Sequence, residues 1–283
     1  NCLSQPFVVN DHELFIGASV GISLFPGDAD NVAQVLRNAD SALFKAKSSG
    51  REGYAFYVQE LTDYARQRVE LASSLRHALD NDELRVYYQP LHDLRDGSQV
   101  GMEALVRWQH PDGTRVSPDA FIPLAEHSGL ILPITDQVID NVLRDLGPLL
   151  VKERSLHVAI NLAAKDVSSG RFLPKLETAL RSADVQQKQI WLEATERGFV
   201  EIDAARATVN RARELGYLAA IDDFGTGFSS LQHLQQLPLD VLKIDKSFVD
   251  NIDHDAVTGS VTGHIIEMAK SLRLQIVAEG IET

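Results

Sequence analysis

Residues 13–25, ELFIGASVGISLF, alternate and then run apolar with β-branched side chains, which predicts one or two strands closed by the turn Pro26-Gly27-Asp28. From Val32 to Lys47 the apolar positions Val32, Val35, Leu36, Ala39, Leu43 and Ala46 recur at three-and-four spacing. An amphipathic helix is expected there, ending at Ser48-Ser49-Gly50. A short strand at Tyr54–Val58 follows. Leu61–Leu79 keeps the helical period but carries many charges, and reads as a connector.

Beyond the connector, β-rich segments alternate with helical ones. Strands are predicted at Leu84–Leu91, Val100–Trp108, Leu156–Leu162, Ile190–Glu196, Tyr217–Asp222, Val241–Ile244 and Gln275–Glu279. Helices are predicted at Pro133–Leu146, Phe172–Ala183, Ala204–Leu215, Ser229–Leu237 and Val261–Leu272. Such alternation makes a largely parallel sheet, either doubly wound or closed into a barrel. No GxGxxG or GxxxxGK[ST] element follows any of these strands, which weakens a nucleotide-cofactor reading.

Hard donors and charges recur at matching places along the strands. Glu103 lies in the second, Asn161 ends the third, Glu193 lies in the fourth, Asp222 and Asp223 end the fifth, Lys243 and Asp245 lie in the sixth, and Glu279 ends the seventh. A barrel gathers those ends on one face, where active sites sit, whereas a doubly wound sheet would spread them along an edge.

Composition narrows the class. Residues AVILMFWYC make up 44% of the 283-residue chain and DEKR 24%, which fits a folded protein of one large or two ordinary domains. With 27 basic against 40 acidic residues the net charge is -13, the wrong sign for holding polymeric nucleic acid by its phosphates. An anionic substrate would need metal ions or a few placed basic residues. Cys2 is the only cysteine, which excludes an internal disulfide framework and fits a reducing compartment. No apolar run approaches the roughly 18 residues of a membrane span, so a cytoplasmic place is expected for this segment, with membrane attachment of a longer protein left open.

Carboxylates and a carboxamide are hard oxygen donors, suited to Mg2+ or Mn2+. Asp222-Asp223, followed by Phe224-Gly225-Thr226-Gly227, can direct a carboxylate to each of two ions or share one between both. Two divalent ions about 3.5–4 Å apart can activate a water and stabilise the entering and leaving oxygens of a phosphoryl displacement. Lys243 would add positive charge for a phosphate oxygen or the water. Blander roles stand beside these: an Asx-type turn for Asp222-Asp223, a surface position for Lys243, a helix cap for Asn161. They do not explain why the same register of hard ligands recurs on five strands.

These residues resemble a family. Gly101-Met102-Glu103-Ala104-Leu105-Val106-Arg107-Trp108 resembles the signature of the EAL domain, the phosphodiesterase of the bacterial messenger cyclic di-GMP. Over residues 68–283 the resemblance continues in order through Tyr87-Tyr88-Gln89-Pro90, Asn161-Leu162, Leu192-Glu193-Ala194-Thr195-Glu196, Asp222 to Leu231, Leu242-Lys243-Ile244-Asp245 and Ala278-Glu279-Gly280-Ile281-Glu282-Thr283. It implies an α/β fold, a TIM-like (β/α) barrel of the EAL type over residues 81–283, lacking its last strand and helix, with residues 61–80 as the connecting helix.

The resemblance also implies roles. Glu103, Asn161, Glu193 and Asp222 would ligate one metal, with Asp222 bridging to a second held by Asp223. Lys243 would position or deprotonate the water, Glu279 would assist near the metals, and Gln89 and Arg107 would contact substrate. Glu196, Asp245, Glu282 and the loop 224–230 would support the metal-binding loop and couple it to a homodimer. Two Mg2+ or Mn2+ ions are implied, with Ca2+ inhibitory. The departures are mild: Ala163 stands where serine is usual, Ala194 where Leu or Ile is usual, and Phe228 where tyrosine is usual.

Residues 1–60 resemble the C-terminal part of a GGDEF domain, the diguanylate cyclase fold, through Ala18-Ser19-Val20-Gly21-Ile22-Ser23, Ala39 to Lys47 and Gly50-Arg51. This small α+β remnant lacks the naming motif and the strands before it, so an upstream sensory or GGDEF portion is expected in a longer protein. The function implied is metal-dependent hydrolysis of cyclic di-GMP to linear pGpG. The alternatives are a sensor that binds the same nucleotide uncleaved and signals through a partner, and a barrel enzyme of unrelated chemistry.

Overall fold

A computed structural model of the chain describes residues 7–9, 12–14, 17–48, 53–199, 201–225, 236–250 and 256–281. It divides into two compact units, residues 1–74 and 75–283.

In the first unit β1 (Phe7–Val9) pairs antiparallel with β2 (His12–Leu14). β3 (Val20–Ile22) and β4 (Tyr54–Phe56) pair in parallel, joined through α1 (Val32–Ser48), whose Ala42 and Ala46 are buried. Parallel neighbours need such a crossover. α2 (Gln59–Asp80) follows, and the predicted connector, residues 61–80, makes up nearly all of it.

The second unit is built on β5 (Leu84–His92), β6 (Gln99–Gln109), β7 (Arg115–Val116), β8 (His157–Asn161), β9 (Ile190–Thr195), β10 (Leu218–Phe224), β11 (Val241–Ile244) and β12 (Gln275–Ala278). Its sheet runs β5-β6-β8-β9-β10-β11-β12, with β7 beside β6. From β6 through β8 to β12 the neighbours are parallel, and among the described residues helices make the crossovers other than that from β10 to β11, which lies largely outside them: α3 (Pro118–Ser128) and α4 (Ile131–Lys152), α5 (Ala164–Ser169) and α6 (Phe172–Ala183), α7 (Ile202–Leu215), and α8 (Lys246–Val249) with α9 (Ala256–Ser271).

β5 departs from this pattern, pairing antiparallel to β6. The connection is a tight hairpin in which Asp93 N–H donates to Ser98 O and Gly97 N–H to Asp93 O, and so short a link cannot cross over to a parallel partner. α4 also outruns its predicted limit at Leu146, passing through Gly147 and Pro148 to Lys152. α3, which holds Pro123, has no counterpart in the sequence reading. The predicted helix Ser229–Leu237 lies almost wholly outside the described residues.

β8, β9 and β11 are buried on both faces, as parallel strands between helices and a barrel interior must be. Side chains alternate accordingly. Ala194, Ala219, Ile221, Leu242 and Ile244 pack outward against the helices with Val209, Ile265 and Ala269. Ala159, Trp191, Ala220 and Val241 point inward, with Leu218 and Val277 packed against them. Both edges of the sheet border one cavity of about 910 Å³: Gln89 to Leu94 line it from the β5 side and Gln275 to Ile281 from the β12 side. The sheet is therefore curled, as in a barrel.

Candidate active site

The inward apolar layer places the site by simple period-two arithmetic. Two residues after Ala159 comes Asn161, after Trp191 Glu193, after Ala220 Asp222, after Val241 Lys243, and after Val277 Glu279. Each polar residue thus follows the interior face of its strand, one step nearer the C-terminal end, except that β12 stops at Ala278 and Glu279, expected to end that strand, lies one residue beyond it with its N–H on Ile244 O. Glu103 shares the inner face of β6 with Leu105, and both line the cavity. It stands in the middle of an 11-residue strand rather than at its end.

Lys243 is the centre of this layer, and it is 1% exposed, so the surface role left open for it is excluded. Its Nζ donates to Glu103 Oε2 at 3.0 Å and Glu193 Oε2 at 2.9 Å. It also lies 3.1 Å from Asp222 Oδ1 and 2.8 Å from Glu279 Oε1. Asn161 Nδ2 donates to Glu103 Oε1 at 2.8 Å, which leaves the carboxamide oxygen as its one acceptor for a cation. Asn161 ends β8, and Ala163 rather than Asn161 takes the cap position of α5.

Adjacent residues of a regular strand face opposite ways, so Asp222 and Asp223 could not both reach the site from one. β10 solves this with an irregularity. Ile221 pairs with Leu242 but Phe224 with Ile244, three steps against two, and Asp223 takes a positive φ of 53° inside the extra step. Gly225 follows at φ 99°, where an added Cβ would sit 2.8 Å from the Phe248 ring. Its N–H donates to Glu196 Oε1 at 2.8 Å, so Glu196 holds the end of the bulge.

Two groups of three carboxylates result, each with one oxygen apiece within 4.8 Å of the others: Glu103, Glu193 and Asp222, and Asp222, Asp223 and Glu279. Asp222 belongs to both. The second group takes in Glu279, which the sequence reading kept beside the metals and not among their ligands.

The charges are coupled. Burial alone would lower the Lys243 ammonium, but Glu193, Asp222, Glu103 and Glu279 outweigh it and hold Lys243 protonated above the usual lysine range. Burial pushes Glu193 up to about 8, with Glu103 and Asp222 adding to the shift and Lys243 opposing it. Burial also raises Asp223, helped by Asp222 and Asp245, and raises Glu279. One ammonium among so many carboxylates leaves a deficit of positive charge. Hard divalent cations match that deficit and the donor set, and the buried Glu193 Oε1 has no hydrogen-bond partner among the described residues.

Of the other expected residues, Gln89 pairs across the sheet with Glu103 and lines the cavity. Arg107 is on the same face of β6 as Glu103 and gives its Nη1 to Val106 O. Asp245 is not in a strand: β11 stops at Ile244 and Asp245 caps α8, accepting from Ser247 N–H at 2.9 Å. Glu282 and residues 226–230 lie outside the described residues. The sequence reading missed His157, whose ring stacks on Trp191 at 3.7 Å between centroids and lies where a Cβ on residue 101 would be, so only Gly101 fits beneath it.

Comparison with known proteins agrees with this geometry. Residues 72–283 match the EAL domain family, and the chain belongs to it. Residues 1–53 match the diguanylate cyclase GGDEF domain. The chain is 39% identical over 283 residues to the cyclic di-GMP phosphodiesterase NbdA of Pseudomonas aeruginosa, covering 99% of this chain and 36% of that protein. It is 45% identical over 209 residues to the probable cyclic di-GMP phosphodiesterase PdeB of Escherichia coli, covering 74% of this chain and 40% of that protein. The chain thus spans about two fifths of the length of these curated relatives. A solved complex of the PaMucR phosphodiesterase with c-di-GMP superposes with a TM-score of 0.70 at 35% identity, covering 76% of this chain and 87% of that one. Among the described residues no helix is long and apolar enough to cross a membrane.

Proposed function

We propose that residues 81–283 hydrolyse cyclic di-GMP to the linear dinucleotide pGpG. The observation that carries this reading is the pair of carboxylate groups sharing Asp222. The first would hold one divalent ion through Glu103, Glu193, Asp222 and the Asn161 oxygen, the second another through Asp222, Asp223 and Glu279. Two ions of the Mg2+ or Mn2+ kind would there supply the charge that activates water and neutralises the entering and leaving oxygens of a phosphoryl displacement.

The chain's own residues divide the remaining work. Water adds in line to one phosphorus and gives up a proton, the P–O3′ bond breaks, and the 3′ oxygen takes up a proton as it leaves. Lys243, held protonated by its carboxylates, orients the water or a phosphate oxygen and does not take the proton. Glu279, whose 29% side-chain exposure is the highest of the four carboxylates around Lys243, would complete the second ion's ligand set, and the proton given up by the water passes through solvent. Gln89 and Arg107 would contact substrate from β5 and β6. Glu196 secures the bulge. Ca2+ would bind yet support little turnover, because its longer, looser coordination spoils the spacing. A homodimer through the barrel, input from an upstream sensory or GGDEF portion, and a cytoplasmic place belong to the same proposal.

The test is incubation of the purified chain with cyclic di-GMP and Mg2+, followed by chromatography. Linear dinucleotide is expected. Tight binding of nucleotide that stays cyclic would mean a sensor.

A further inference from the structure

The loop that carries Asn161 into the site is held by two consecutive backbone donors. Leu162 N–H donates to Glu193 O at 2.7 Å, tying the loop to β9. Ala163 N–H donates to Asp166 Oδ2 at 3.1 Å. Ala163 itself offers no side-chain oxygen to the first turn of α5, so only the returning half of a capping box exists, and Asp166 supplies it.

Asp166 is an unusual residue for so modest a task. It is 1% exposed, no ion pair to it is found among the described residues, and burial pushes its carboxyl up to about 6. Keeping a carboxylate there is costly unless its hydrogen bonds are worth keeping. Its other donor is Thr135 Oγ1 at 2.8 Å, from the buried face of α4. The Thr135 hydroxyl has one proton, and its distance to Ile131 O is the longer 3.1 Å. Thr135 and Asp166 therefore link α4 to the residue two places after Asn161. From there Asn161 reaches Glu103 at 2.8 Å.

We infer that Asp166 is a positioning residue for the metal site: with Thr135 it fixes the Asn161 loop so that the carboxamide oxygen is presented beside Glu103. This rests on the reading of Asn161 as a cation ligand. Groups that orient a ligand from behind typically contribute about 10–100-fold in metal affinity. A mere helix cap would alter stability and leave the affinity of the folded protein unchanged.

Calorimetric titration of Mn2+ into the chain, with the melting temperature of each variant recorded alongside, separates these outcomes. Asp166→Ala is expected to weaken Mn2+ binding by about tenfold or more, and Thr135→Val by less. Asp166→Asn keeps an acceptor for Ala163 N–H and should stay near wild type. Ala163→Ser added to Asp166→Ala should recover part of the affinity, because serine restores a cap for the first turn. Wild-type Mn2+ affinity in a folded Asp166→Ala protein overturns the inference. If that variant does not fold, wild-type affinity in Thr135→Val overturns it instead. A wild-type chain that binds no Mn2+ would sink the underlying reading of the site, a different result from an unchanged variant.

Discussion

Lys243 Nζ lies 2.9 Å from Glu193 Oε2, and both side chains are 1% exposed. Charges buried this deeply depend on each other, because neither can turn to water when its partner is removed. Lys243→Met should therefore destabilise the metal-free protein by about 3–5 kcal/mol, the usual result of leaving buried charge uncompensated. Mn2+ should restore much of the loss by replacing the missing cation. Thermal melts in EDTA and in Mn2+ check this, and an unchanged melting temperature in EDTA would show that the cage does not need its ammonium.

Asp222 is the one carboxylate common to both groups of three. Asp222→Asn removes a shared anion, so occupancy of both ions should fall and turnover should drop by roughly 10³-fold or more, equivalent to about 4 kcal/mol of transition-state stabilisation. Mn2+ titration and initial rates measured on one preparation check both halves. Normal turnover in this variant would remove Asp222 from the centre of the account.

Gly225 has φ 99°, and a Cβ added there would lie 2.8 Å from the Phe248 ring, so Gly225→Ala meets both backbone strain and a close contact. Strain of this kind costs on the order of 1–3 kcal/mol. The bulge end should shift off Glu196, and Asp223 with it. Turnover is expected to fall by about ten- to a hundredfold while far-ultraviolet circular dichroism keeps the wild-type shape. Full activity would mean that the bulge tolerates displacement.

His157 should give the fold an acid sensitivity of known sign. Burial pushes its imidazole down to about 4 from an ordinary 6.5, so between those values the unfolded chain binds the proton and the native one does not. Stability contributed by this group is intact above pH 6.5 and is lost as the pH falls toward 4, on the order of 3 kcal/mol in all. His157→Phe keeps a ring on Trp191 and over Gly101 but cannot titrate. Urea unfolding at pH 7 and pH 4.5 should show a smaller acid loss in the variant, and identical losses would place the sensitivity elsewhere.

Much of this was legible in the chain because period-two patterning carries both fold and site. A residue two places beyond an inward Ala159, Trp191 or Ala220 must face the same interior, so the recurrence of hard donors along the strands was visible in the sequence, while their roles as ligands were implied by the family resemblance. What escaped depends on contacts that no local pattern records. Lys243 looks like an ordinary lysine until four strands close around it. Asp222-Asp223 reads equally well as a turn, and only the pairing of β10 with β11 reveals a bulge that turns both acids to one side. Asp245 followed the strand pattern by one residue and proved to be a cap, since Ser247 two places on offers its N–H to the short side chain. The hairpin direction of β5 was set by the length of its turn rather than by the alternation of its strand.

The account stands or falls on chemistry at phosphorus. Purified chain incubated with cyclic di-GMP and Mg2+, with an EDTA control and chromatographic separation of nucleotides over time, measures it directly. Steady conversion to linear pGpG, abolished by EDTA and restored by Mg2+ or Mn2+, is the predicted result. Nucleotide that remains cyclic over hours with Mg2+ present, or hydrolysis that continues undiminished in EDTA, would contradict it.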